Sequence, residues 1–306
     1  DVMVNLASWL MRHLNNPQLL LWLTERGGRL QNQLIRMVEW QLDRFAKLER
    51  EGNTTDELDR IRASSPDAIP SPPMRILWRL LIASRVKQLG QYHDFGFYSW
   101  KEKFDQDSLT TTLRFELREL LAPKIKLKNP LSFFWDEDDA TEITHENIKR
   151  FIDWDIVLAA DHVNYSIDDL KKLADWPKVL PELLVDIQQL LRDALDLQRE
   201  LGEADDLNDR SNWYLPSISP HRQNRRFNEW VSLIELLRDA WLAVQKSHPA
   251  RATRIARDWF DRPYPTFKRL ASYAATQDEN ITADEWVSWL VADDCWWLWT
   301  SCTLRE

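Results

Sequence analysis

The amino-acid sequence predicts an all-α protein, an irregular, solenoid-like helical-repeat array in two subdomains. Three observations carry that prediction. Apolar residues recur at steps of three and four along most of the chain, which lays them on one face of a helix. Glycine is scarce, with 6 in 306 residues, while the 14 prolines fall mostly between the periodic stretches, where they stop helices. Strict alternation of apolar and polar residues, the mark of a half-buried strand, is nearly absent.

Taken along the chain, residues 1–14 hold a helical period, and the apolar run 19–23 is far shorter than the roughly 20 residues a bilayer crossing requires. Leu34, Val38, Leu42, Phe45 and Leu48 mark a long amphipathic helix. Thr54 with Glu57, and Thr282 with Glu285, have the spacing in which each side chain serves the other residue's backbone N–H, so both pairs read as helix starts. His145 and Glu146 are expected to open a helix that continues through Phe151, Trp154 and Leu158 and ends before Asp161 and His162. Leu183, Ile187, Leu190, Ala194 and Leu201 form a further stripe, as do Trp230, Ile234, Leu237, Trp241 and Val244.

Three joints are longer than the rest: residues 63–73, residues 130–144 with the acidic run Asp136, Glu137, Asp138 and Asp139, and residues 202–220. The third shifts composition furthest from packed helix, toward Asp, Asn, Ser and Pro. It sets the expected organisation: a first subdomain over 1–201, a linker over 202–220 and a second subdomain over 221–306. No fixed-period repeat is visible, so the array would be irregular.

Composition excludes several classes. A formal net charge of -9 argues against broad attraction to nucleic acid or an anionic membrane. No basic start, apolar block and small-residue cleavage site mark a secretory signal. Cys295 and Cys302 lie seven positions apart in one expected helix, about 10 Å between α-carbons, which is beyond disulfide reach. Free thiols fit a reducing cytoplasm, the expected location. The 17 tryptophans are read first as helix-packing anchors. The sequence opens without Met inside a helical period and ends without a polar tail, so the native polypeptide is expected to continue.

No catalytic, cofactor-binding or metal-ligating residue is assigned, and the chain itself is read as non-enzymatic. Neither glycine-rich nucleotide motif occurs, and the adjacent Gly27 and Gly28 read as a helix break. His145-Glu146 lacks the second histidine a zinc peptidase helix needs. No Arg stands four to six positions before any of the 6 histidines, which removes the common signature of all-α HEPN ribonucleases. Asp136 to Asp139 read as a charged turn, and Asp161-His162 as a helix-end pair without a nucleophile to serve.

Three segments carry a resemblance: residues 73–81 (PMRILWRLL), residues 114–123 (RFELRELLAP), and residues 265–275 (PTFKRLASYAA) with the following Trp286, Trp289 and Trp296, Trp297, Trp299. They resemble the C-terminal helical regions of bacterial antiviral defence proteins, the Avs-type STAND NTPases and the defence-associated sirtuins. The resemblance implies a sensor or scaffold region, with the effector elsewhere in the parent protein. The implied partner is a protein ligand such as a phage protein, or another copy through the parent. Trp213, Tyr214, Arg222, Arg225 and Arg226 are the candidate contact residues, since Trp and Arg anchor protein partners most effectively. The runner-up reading is a nucleic-acid-binding or nuclease-associated helical module that sets the same basic cluster against phosphates; residues 251–257 are a second candidate basic run.

Overall fold

The computed structural model describes residues 2–26, 30–51, 55–87, 96–130, 142–224, 227–303 and 305–306. Of these, 66% are helical, in fourteen α-helices, and the only sheet among the described residues has two strands. No described helix is long and apolar enough to cross a membrane. The chain forms two compact units, Asp1–Gln91 with Ile125–Asp155, and Tyr92–Lys124 with Ile156–Glu306.

The first unit holds α1 (Val2–Met11), α2 (Pro17–Glu25), α3 (Asn32–Glu51), α4 (Thr55–Ser64) and α5 (Pro72–Ile82). The stripe read on α3 is buried from Leu34 to Phe45, and Phe45 packs with Leu58 and Ile69. Asn16 caps α2 by accepting from the N–H groups of Gln18 and Leu19, with Pro17 in the first turn, where its missing donor costs nothing. Trp78 is buried and donates its indole N–H to the Leu14 carbonyl at 2.6 Å, which ties α5 to the turn after α1.

Two strands, β1 (Pro123–Lys128) and β2 (Asp153–Leu158), pair with each other, and the division between the units passes through both. Ala159 N–H donates to the Ala122 carbonyl beyond one end, while Lys128 meets Asp153 at the other, so the pairing is antiparallel. Val86 adds a single parallel bridge to Ile125. These strands correct the expected helix from His145 through Leu158. Residues Ile148–Arg150 make only a 3₁₀ turn, and Ile152, Trp154, Ile156 and Leu158 alternate inward at period two. Asp161 and His162 therefore follow a strand rather than a helix, and His162 adopts a left-handed conformation at the start of the next helix.

The second unit contains α6 (Gly96–Asp107), α7 (Thr111–Leu120), α8 (Val163–Leu170), α9 (Trp176–Glu200), α10 (Ser211–Tyr214), α11 (Ser232–Ser247), α12 (Pro249–Phe260), α13 (Pro265–Gln277) and α14 (Ala283–Trp299). Its largest helix-helix packing is α9 on α11, where the two stripes read from sequence meet, with Leu183, Ile187, Leu190, Ala194, Ile234, Leu237, Trp241 and Val244 all buried. Trp241 donates to the Ala252 carbonyl at 2.9 Å and lies 6.3 Å from Trp259. Trp100 stacks on Phe104, and both meet the edge of Trp176.

Several expectations change in detail. Proline opens α2, α5, α9, α12 and α13 from their first turns, so it marks entrances more than stops. Thr282 accepts from the Glu285 N–H, but the Glu285 carboxylate turns away to Arg257, so half of the expected reciprocal cap forms. Thr54 lies outside the described residues. Trp78, Trp100, Trp230, Trp241 and Trp259 are packing anchors, whereas Trp22, Trp40, Trp213 and Trp299 are more than half exposed. The expected linker, residues 202–220, lies wholly within the second unit.

The helix expected to hold both cysteines breaks. Asp293, Asp294 and Cys295 have positive φ inside α14, and Cys302 lies beyond its end. Both thiols are free. Desolvation raises the Cys302 thiol above its ordinary pKa, and the side chain is buried, while Cys295 is partly exposed. A chromogenic thiol reagent at neutral pH is expected to modify Cys295 promptly and Cys302 only after denaturant is added; two equally fast thiols in the folded chain would contradict this placement.

Candidate functional site

The candidate contact residues sit on the segment that follows α9. Helix α9 ends with Gly202 at φ 73°, a left-handed position that costs a residue without a side chain little. The Glu203 N–H returns to the Gln198 carbonyl and the Gly202 N–H to that of Arg199, which closes the helix and turns the chain. Asp205 then accepts from the N–H groups of Leu207 and Asn208, and Asn208 accepts from that of Arg210. These short side chains replace backbone partners, which is why an Asp- and Asn-rich stretch folds as consecutive turns.

Asp209 anchors this turn series. It is fully buried, with one carboxylate oxygen accepting the Ser211 N–H at 3.0 Å and the other the Thr266 N–H at 2.7 Å. Thr266 lies in the first turn of α13, whose N-cap residue, Tyr264, supplies no side-chain cap. A carboxylate from 57 positions earlier therefore satisfies the helix start and faces its positive end.

Arg269 on α13 secures the following residues. Its guanidinium donates to the Ser211 hydroxyl, to the Leu215 carbonyl and to the Glu306 carboxylate, the last at 2.8 Å. The Arg269 and Glu306 side chains are 0% and 1% exposed. Glu306 also accepts the Ile218 N–H at 3.0 Å, and Arg238 donates to the Ile218 carbonyl at 2.7 Å. Asn224 closes the turn by accepting from the Ser217 N–H and donating to the Ser217 and Ser219 carbonyls. Each buried charge thus has several partners, the condition under which an interior ion pair is tolerated.

The outer side of the same segment is open. Trp213 is 70% exposed, Tyr214 is half-buried beside it on α10, and Arg222 is exposed on the next turn. Arg225 and Arg226 lie outside the described residues. Arg210 lies over the Trp213 ring, 6.0 Å from its centroid. Sequence reading missed Arg210, although its place three positions before Trp213 at the start of α10 was a usable signal. It also missed Asp209, Arg269 and Glu306, whose partners are remote in sequence.

Other candidates take different places. In the second basic run, Arg257 is paired to Glu285 through two hydrogen bonds, and that guanidinium holds the Glu285 carboxyl below its ordinary pKa. His145 and Glu146 are exposed on a turn, and Asp136 to Asp139, with Gly27 and Gly28, lie outside the described residues. Among the described residues no three His, Cys, Asp or Glu side chains gather as metal ligands. The arrangement is one of presentation, with an aromatic ring and cations held outward on a turn fixed from below. No protein-family model matches the chain, and no curated protein or solved structure matches it significantly.

Proposed function

We propose that this chain is a non-catalytic recognition or scaffold region of a larger cytoplasmic antiviral defence protein, and that Trp213, Tyr214 and Arg222 contact a protein ligand. The observation that supports this reading is an exposed tryptophan on a turn fixed by a buried Arg269–Glu306 pair. A rigid base lets the exposed ring engage a partner with little ordering, and tryptophan is among the side chains that anchor protein interfaces most strongly. The resemblance to helical regions of bacterial defence proteins makes a phage protein the proposed ligand.

The test is Trp213→Ala and Arg222→Ala in the complete protein, scored by survival of phage-challenged cells and by unfolding of the purified chain. Removal of a central aromatic contact typically costs about 2 kcal/mol or more, or roughly 30-fold in affinity. Loss of protection with an unchanged unfolding midpoint is the expected result. Full protection by both variants would reject the assignment. Tight binding of duplex DNA that weakens steeply with added salt would favour a nucleic-acid module instead.

A further inference from the structure

A second surface lies on α14. Before the chain leaves helical geometry at Ala292, the helix carries apolar residues at Ala283, Trp286, Val287, Leu290 and Val291. That is the i, i+3, i+4, i+7, i+8 pattern by which a helix of a globular protein faces its core. The structure seats the other side of the helix instead. Glu285 and Trp289, one turn apart, hold α14 on α12: Arg257 donates twice to the Glu285 carboxylate, and the Trp289 ring stacks on Phe260 with centroids 5.1 Å apart.

The described residues leave the apolar stripe open. Trp286, Val287 and Val291 are 39%, 45% and 48% exposed, Ala283 is exposed, and Leu290 on the same face is half-buried. Single exposed apolar side chains are ordinary, whereas a stripe over two helical turns is the pattern of a surface that meets another. Charge selects the partner. No Lys or Arg occurs from 270 to 304, while Glu279 and Asp284 at the start of the stripe and Asp294 after its end are exposed and form no salt bridge among the described residues. Two copies paired through this face would set carboxylates against carboxylates, an arrangement that costs binding energy. An anionic lipid surface is disfavoured likewise, because helices that lie on membranes carry Lys and Arg along the polar side. A partner helix whose apolar stripe is flanked by Lys or Arg meets both requirements, covering Trp and Val while neutralising the carboxylates.

From this placement we infer that the outer face of α14 is a docking surface for a basic amphipathic helix of a protein partner, with Trp286, Val287, Leu290 and Val291 as its apolar contacts and Asp284 and Asp294 as its charged ones. The surface shares no residue with the turn that bears Trp213, and it stands whether or not that turn binds a ligand.

The test titrates the full chain into a fluorescently labelled synthetic peptide of roughly five helical turns, built of Leu and Lys with one apolar stripe, and follows anisotropy. A control peptide has the same composition in shuffled order, so it keeps the charge and loses the stripe. Saturable binding of the striped peptide is expected, with the control roughly tenfold or more weaker. Val287→Gln with Val291→Gln is expected to weaken binding by roughly tenfold or more, the loss of two apolar contacts, while the unfolding midpoint stays at the parent's. Asp284→Asn with Asp294→Asn is expected to weaken it several-fold and to flatten its dependence on salt. Equal affinity for the shuffled peptide, or unaltered affinity in either double variant, would overturn the surface. A lowered unfolding midpoint in Val287→Gln with Val291→Gln would place the stripe inside the fold and overturn it as well. A concentration-dependent dimer of the parent, or binding to phosphatidylglycerol vesicles, that is lost in the same variant would assign the face to a second copy or to lipid and reject the basic helix.

Discussion

Glu306→Ala is expected to destabilise the chain by about 3–5 kcal/mol, the usual cost of leaving one member of a buried ion pair uncompensated. The magnitude follows from the surroundings. Arg269 is 0% exposed, and Glu306 accepts from both its guanidinium and the Ile218 N–H, so the truncation strands a cation and a backbone donor together. Arg269→Met with Glu306→Leu removes both charges and is expected to recover a large part of the loss, because a filled apolar site often replaces a buried pair at little cost. Urea unfolding of the parent and the two variants checks this. A single variant within 1 kcal/mol of the parent would show that the pair is not enclosed.

Trp241→Ala is expected to cost about 3–5 kcal/mol, through the cavity it leaves and the loss of its indole hydrogen bond. Trp241 is 0% exposed between α11 and α12, and its Nε1 donates to the Ala252 carbonyl. Trp213→Ala is expected to change stability by no more than about 0.5 kcal/mol, as is usual for exposed positions. Similar losses at both sites in the same urea titration would contradict the burial described for them.

The helical class and its main stripes were legible because helix packing writes itself into local spacing. Trp230, Ile234, Leu237, Trp241 and Val244 recur once per turn, and all five are buried. The small sheet was harder to read. Phe151, Trp154 and Leu158 fit a helical step, while Ile152, Trp154, Ile156 and Leu158 alternate, and over so short a span the periods overlap. In β1 the run Lys124, Ile125, Lys126, Leu127, Lys128 carried the strand signal more clearly than the reading allowed.

For the candidate site, the residues that point outward were legible and those that hold them were not. Trp213, Tyr214 and Arg222 lie close together in sequence. Arg269 and Glu306 are 37 positions apart, and Asp209 and Thr266 are 57 apart, distances at which no spacing rule links a charge to its partner. Burial of tryptophan was likewise undetermined by period alone, since Trp40 lies in the same helix as the buried Val38 and Leu42 yet is 63% exposed.

The carboxylate that joins the turn to the start of α13 has a thermodynamic consequence. Because Asp209 fills a role otherwise left to Tyr264 or water, peeling the Trp213 segment away would uncover a helix terminus. Local opening there is expected to be coupled to loss of order at the start of α13, with the Ser211 and Thr266 amides exchanging through one common opening. A ligand that docks on the indole would meet a surface whose conformational freedom was already surrendered when the domain folded, so little of the binding energy would be lost to further ordering.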